Sequence, residues 1–422
     1  MLRRIWNATL LVRRSLQQHA LSTSITALSI ALGTGLVLSV FSINDQTLRA
    51  FTGGSAGFDA VLGARGSPLQ LVLNSVYHLE TSPGNIPWSL YQQVQKDRRV
   101  KLAIPYAVGD NYRGFRVVGT TEKLFQQFEY RKGQRFQVEK GGRFFDPALR
   151  EAVVGSLVAQ KTGLQLGSRF QPYHGLDFIE SEQHEEEYVV VGILNPTNSP
   201  SDRVVWIPIE GVFRMSGHVL RGSGSNYQAK PGTEIPDEEK EVSAVLLQFH
   251  SPAGGVFFDH TINRQGKVAT LAWPVDRVLM EFFSKIGWIH QIMQMMAYLV
   301  MVVASASVLA SLYNTMNERR REFAILRALG ARRATVFGII VLEAGTIAFI
   351  GSILSFVVYG VIFTVSAEVI RNQTGMVLDL FAFHPVLVLA PLCMILLGTL
   401  SGLLPAFKAY STDVASNLIP SA

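Results

Sequence analysis

The sequence predicts an α-helical membrane protein: four transmembrane helices plus a large α+β extracytoplasmic domain inserted between helices 1 and 2. Three observations predict it. Four apolar stretches are each long enough to cross a hydrocarbon core, which takes about 20 helical residues. Arginines gather before the first stretch and between the second and third, whereas the short loop between the third and fourth carries only Arg371. Between the first and second stretches the hydrophobic period changes from helical to mixed over roughly 240 residues.

The chain has 422 residues, 48% of them hydrophobic, and a mean hydropathy of +0.24. That is apolar for a soluble protein, and the uneven placement of the apolar residues decides the class. A cytoplasmic segment, 1–20, carries Arg3, Arg4, Arg13 and Arg14 and leads into span one, 21–43. This span is read as an uncleaved anchor. A cleaved signal peptide has a shorter apolar core and ends at a small-x-small site that is missing here. The extracytoplasmic domain and a helical stalk fill 44–285. Span two follows at 286–316, an arginine-rich segment at 317–335, span three at 336–367, an external loop at 368–379, span four at 380–407 and a tail at 408–422. Irregular backbone in lipid would leave amides unsatisfied, so the spans are helices. The arginine bias puts both termini and the segment 317–335 in the cytoplasm and the large domain on the other side. Trp288 and Tyr313 fit interfacial anchors at the two ends of span two.

The single cysteine, Cys393, falls in span four, so the external domain holds together without a disulfide. The net charge of +6 comes mostly from the cytoplasmic arginines and reports topology rather than nucleic-acid binding.

Within the external domain, β-branched runs at 114–120, 188–194, 203–208 and 242–249 read as strands. Helices are expected at Ser89–Gln95, Ser156–Thr162 and Ile209–Met215, giving an α+β domain made of one continuous insertion. The stretch from Gly222 through Pro236 is poor in apolar residues and reads as a mobile loop. Val275 to Gly287 has helical apolar spacing leading straight into span two, as a stalk continuous with the membrane helix.

The segment between spans two and three is the most informative. On a helix over Glu322–Leu329, Phe323, Leu326 and Ala328 or Leu329 share one face, while Arg319, Arg320 and Arg327 project elsewhere; Gly330 supplies a stop. Such a helix either seats an apolar ridge in a soluble partner or lies on anionic lipid. Composition alone does not choose.

Glu318-Arg-Arg-Arg-Glu-Phe-Ala-Ile-Leu-Arg-Ala-Leu-Gly-Ala331, together with one span, a large external domain and three further spans, resembles the MacB/FtsX/LolC-type permeases of ABC transporters. Ala324 stands where that family has a glycine. Glu343 matches a recurrent family acid, and Leu403-Leu-Pro-Ala406 with Asp413 matches its closing segment. Glu151–Ser156, Gly163–Gly167 and Val189–Ile193 look like its periplasmic core, so the resemblance covers nearly the whole chain. It implies a multi-pass protein of the bacterial inner membrane and a type VII ABC arrangement. In that arrangement two permeases, as a homodimer or close heterodimer, work with two ATPases that use ATP and Mg. Arg319, Arg320, Glu322, Phe323, Leu326, Arg327, Leu329 and Gly330 would then be the ATPase-coupling residues. No G-x-x-x-x-G-K-[ST] phosphate loop occurs, so the ATPase is expected on another polypeptide, with no catalytic residue or bound cofactor in this chain.

Two features of the spans carry further expectations. Ala27, Ala31, Gly35 and Ser39 form a small-residue stripe that permits close helix approach, either to a second permease copy or to this chain's own span two. Glu343 would cost about 2.5–3.5 kcal/mol unpaired at mid-bilayer, so it needs a polar partner or the cytoplasmic side. Structural anchoring is the expected role, since one acid makes a poor proton relay.

Outside the membrane, His174, Asp177, Glu180, Glu182 and His184 make one unusual patch. A solvated hairpin loop is the plainer reading; His174, Asp177, Glu182 and His184 as ligands of zinc or a similar ion is the sharper one. No H-E-x-x-H spacing supports a catalytic metal.

Three functions compete. The first is a non-catalytic permease that passes ATP-driven motion to its external domain, for lipoprotein or lipid extraction or for efflux with a periplasmic partner. The second is the permease of a metal-transport or homeostasis system. The third is a membrane-anchored sensor or enzyme that works without an ATPase.

Overall fold

A computed structural model of the chain describes residues 2–52, 57–175, 179, 182–215, 220, 227–228, 233–318, 320–328 and 330–411. Two compact units emerge, one of 1–46, 287–367 and 378–422, the other of 47–286 and 368–377.

The second unit is built on a ten-stranded sheet. In spatial order the strands are Ala269–Ala272, Ala60–Ala64, Ala244–Phe249, Val100–Tyr112, Phe115–Thr120, Val204–Pro208, Glu151–Val154, Tyr188–Ile193 and Arg169–Phe170, with Tyr173–His174 paired to the far end of Val100–Tyr112. Side chains alternate across a pleated strand, and both faces are buried here. Leu62, Val117, Val154, Val205, Ile207, Val245 and Leu247 enter one core. Val61, Val118, Val153, Val204, Trp206 and Leu246 enter the other. Double burial explains why these strands read as apolar runs rather than as alternating ones.

The expected helices lie at Trp88–Lys96, Ser156–Thr162 and Ile209–Phe213. Each begins after an extended Pro or Gly (Pro87, Gly155, Pro208), and the second ends on Gly163 at φ +77, a left-handed cap that glycine adopts without strain. The strand Val100–Tyr112 escapes sequence reading. Pro105 sits inside it, and its pairing with Phe115–Thr120 slips between Val108 and Asp110. It turns back through Arg113 and Gly114, both at positive φ, as a tight hairpin requires. Asn111 Oδ1 accepts the Gly114 N–H at 3.1 Å and fixes that turn. The loop 222–236 lies largely outside the described residues.

The unit is not one continuous insertion. Ala50, Phe51, Val275, Leu279 and Met376 pack into its second core, so residues beyond span three belong to it as well. Lys161 pairs with Glu368 at 3.2 Å, Arg371 donates to Gln160 Oε1 at 3.0 Å, and Arg203 donates to the Gln373 carbonyl.

His78 is buried in the same core at φ +55, between Tyr106 and the edge of Trp206. Burial, with Arg116 and Arg203 nearby, lowers its pKa from 6.5 to about 3. The unfolded chain therefore binds the extra proton below pH 6.5, and the fold loses about 1.4 kcal/mol per pH unit as pH falls from there towards 3. His78→Asn, which tolerates the positive φ, should flatten that slope in guanidinium denaturation of this unit between pH 7 and 5. Parallel slopes for the two proteins would contradict it.

The other unit is helical. Four helices are long and apolar enough to cross a membrane by length and composition: Ala20–Phe51, Val275–Asn314, Arg333–Thr374 and Val386–Lys408. The second belongs to a single 44-residue helix, Val275–Glu318, which passes through Gly287 without a break. Ala27, Ile30, Ala304, Val308, Ala344, Ala348 and Met394 bring these four helices into one core, while Leu28, Val302, Phe349 and Leu396 stay exposed. His384 Nδ1 accepts the Val386 N–H at 3.1 Å and caps the start of span four.

Candidate functional site

The arginine-rich segment between the second and third long apolar helices folds as the helix Arg320–Ala328, beginning two residues earlier than the spacing predicts. Gly330, at φ +97, ends it, and the chain re-enters a helix at Arg333. Ala324, where the family has glycine, is 4% exposed, so a small side chain is buried at this position. Glu322, Ile325 and Gly330 are exposed and Arg327 is half-buried. Arg319 and Leu329 lie outside the described residues, as do the side chains of Arg320, Phe323 and Leu326.

In the membrane unit, Ser15 donates a hydrogen bond of 2.5 Å to Glu343 Oε1, and both residues are buried. Ser15 comes from the amphipathic helix Leu2–Gln18 that precedes span one. The acid is thereby tied to a polar partner, as its position in an apolar helix demands.

The small-residue stripe meets span three of the same chain, a partner that neither expectation named. A Cβ on Gly35 would lie 2.7 Å from Val358 Cβ, and one on Gly351 would lie 2.7 Å from Ile30 Cβ and 2.8 Å from the Ala27 carbonyl. Ala27 and Ala31 are buried beside them. Span two contacts span one on another side, where Ser22 and Ser311 hydroxyls are 2.9 Å apart.

In the α+β unit the structure gathers three side chains that are distant in sequence. Asp110 lies just past the register slip, directly across from His174 in the antiparallel pairing. His184 returns alongside through the Tyr173–Gln183 bridge, its N–H donating to the Pro172 carbonyl at 2.9 Å. Its Nε2 is 3.0 Å from Asp110 Oδ1, and His174 Nδ1 is 3.5 Å from the same oxygen. The hydrogen bond to Asp110 raises the His174 pKa above its ordinary value despite partial burial. Of the sequence-predicted ligands, His174 and His184 come together. Glu182 is exposed and stands outside the trio, and Asp177 lies outside the described residues. Asp110, which sequence reading missed, is the third member. Its one signal was an acid inside a predominantly apolar strand.

Residues 23–245 match the MacB-like periplasmic core domain, and residues 295–414 match the FtsX-like permease C-terminal domain. The chain is 22% identical over 421 residues to the macrolide export ATP-binding/permease protein MacB of Bordetella avium (strain 197N), covering 96% of this chain and 58% of that protein. Against the protein of the same name from Escherichia coli O157:H7 it is 27% identical over 214 residues, covering 50% of this chain and 29% of that one. The matches thus span 58% of the Bordetella avium protein and 29% of the Escherichia coli one, less than two thirds of either. The crystal structure of the periplasmic region of MacB from Actinobacillus actinomycetemcomitans aligns with a TM-score of 0.34 at 10% identity, covering 56% of this chain and 97% of that one.

A core-domain match over more than half the chain, joined to the permease domain, defines an ABC transporter permease with a periplasmic domain. The chain belongs to the MacB/FtsX type.

Proposed function

We propose that this permease passes motion driven by ATP hydrolysis in an ABC ATPase subunit, using Mg, to its periplasmic unit in the bacterial inner membrane, serving lipoprotein or lipid extraction or efflux-type export. It works as a homodimer or close heterodimer, with a periplasmic partner protein receiving the motion. The observation that carries this reading is the 44-residue helix Val275–Glu318. It starts directly after the last strand of the sheet and ends where the arginine-rich coupling helix begins. A helix keeps its hydrogen-bond ladder under load, so displacement at one end is delivered at the other with little loss. The coupling helix supplies the contact with the ATPase, its apolar residues filling a groove and its arginines pairing with acids there. Metal transport and ATPase-independent sensing or catalysis are the competing readings, and the permease-domain matches favour neither.

The reading needs the coupling helix and the sheet on opposite sides of the membrane, with both termini cytoplasmic. With Cys393→Ser removing the native thiol, an impermeant maleimide added to spheroplasts should label His260→Cys and leave Arg332→Cys untouched until the cells are lysed. Labelling of both from outside would sink it.

A further inference from the structure

We propose that Asp110, His174 and His184 form a binding site for one exchangeable divalent transition-metal ion of the zinc class on the periplasmic unit. Two imidazole nitrogens and one carboxylate oxygen are the donors that borderline cations prefer, whereas calcium and magnesium take oxygen shells.

The spacing of the donors fits such an ion. Bonds of about 2.0–2.2 Å in a tetrahedral shell set neighbouring ligand atoms about 3.3–3.6 Å apart. His174 Nδ1 and Asp110 Oδ1 are already 3.5 Å apart, and His184 Nε2 is 3.0 Å from the same oxygen, needing only a few tenths of an ångström of opening. All three donor atoms lie within 4.8 Å of one another. Both rings present nitrogens towards one carboxylate, with centroids 5.5 Å apart and planes at 83°, so the two rings converge on one oxygen rather than stack, and each nitrogen would exchange its hydrogen bond to Asp110 for the metal.

The surrounding backbone holds this arrangement before any ion arrives. The Gly175 N–H donates to the Gly109 carbonyl at 2.9 Å, and Asn111 Nδ2 donates to the Gly175 carbonyl at 3.1 Å. These bonds lock the turn after His174 to the strand that carries Asp110. The His184 backbone is fixed in turn to Pro172. Ligands oriented by outer-shell hydrogen bonds give up less freedom when they coordinate.

Burial explains why the ion would exchange. Asp110 and His184 are 1% and 5% exposed, whereas the His174 side chain is 51% exposed. Two donors form a fixed floor and the third forms an open wall, which leaves the remaining coordination position to water or to a donor from a metal-carrying partner. Closed structural zinc sites use four protein ligands. The adjoining Glu182 and Glu185 are exposed and add negative charge to the approach, which concentrates cations. The trio is equally a carboxylate held by two imidazoles, so metal uptake is the property that separates the two states.

The test uses the untagged, full-length permease in nanodiscs, stripped with chelator and titrated with Co2+ and then Zn2+. One Co2+ per chain should bind with visible d–d absorption of a four- or five-coordinate N/O site, and Zn2+ should displace it while excess Ca2+ and Mg2+ should not. His174→Ala, at an exposed position that leaves the fold intact, should weaken Zn2+ binding by at least about 100-fold, the upper end of the losses seen when even outer-shell partners are removed. His184→Ala and Asp110→Asn disturb buried groups, so a second measurement guards against misfolding: Zn2+ should slow hydrogen exchange over 171–175 and 183–188 in the native protein and not in His174→Ala. Unchanged Zn2+ affinity in His174→Ala, absence of the Co2+ bands, or exchange protection confined to other segments would each overturn the proposal.

Discussion

Phe323→Asp is expected to reduce ATPase binding by the permease at least about 100-fold, with Leu326→Asp close behind. By sequence spacing the two share the apolar face of the helix Arg320–Ala328. Anchors of this kind dominate interface energetics, and losing one costs about 2 kcal/mol or more. Aspartate adds the cost of an unpaired charge in a desolvated groove and of repulsion from the acids that the neighbouring arginines are proposed to meet. About 2.8 kcal/mol is a hundredfold in affinity. The helix is nine residues long and makes no part of the sheet, so the periplasmic unit should keep its wild-type denaturation profile. Co-purification with the ATPase and the permease-dependent ATP hydrolysis rate read the effect. Full coupling in both variants would remove the ATPase from the account and favour the helix as a lipid-surface element.

Gly287→Pro is expected to separate engine from output. Gly287 lies inside the helix Val275–Glu318, at the point where the two compact units divide. Proline there removes one backbone hydrogen bond and clashes with the carbonyl a turn earlier, a cost of about 3 kcal/mol or more, and it bends the helix. ATPase binding should survive, because the coupling helix is untouched. The ATP-driven change in distance between spin labels on either side of residue 287 should fall to a small fraction of the wild-type change. Gly287→Ala is the control: a Cβ there meets nothing within 4 Å, and alanine favours helix by about 1 kcal/mol. It should preserve or increase transmission. If Gly287→Pro transmits as well as wild type, the stalk is not the route.

The four long apolar helices were the most legible part of the chain, because length and apolar content mark them almost alone. The helices Trp88–Lys96, Ser156–Thr162 and Ile209–Phe213 were legible for a local reason, the Pro or Gly that starts each one. The central strand Val100–Tyr112 was not. Pro105 and the slip before Asp110 break its alternation, and its stability comes from neighbours far along the chain that pair on both sides. The same non-locality hid the third member of the His174–His184 trio. Asp110 is 74 residues from His184, and only the pairing of Tyr173–His174 with the end of that strand brings it close. The acids nearest in sequence were the natural guess, yet Glu182 stays exposed and outside the trio. A stripe such as Ala27, Ala31 and Gly35 announces close approach and stays silent about the partner, because any helix with a matching notch will serve.

The short stretch Glu368–Val377 matters to anyone who wishes to cut this protein apart. Gene dissection at the obvious borders, keeping 47–286 and discarding the remainder, would strip Met376 from the apolar interior along with the clasps from Glu368, Arg371 and Gln373. The excised lobe would carry a methionine-sized hole lined by its own side chains. Restoring that ten-residue peptide in trans, or grafting it through a linker, should heal the wound.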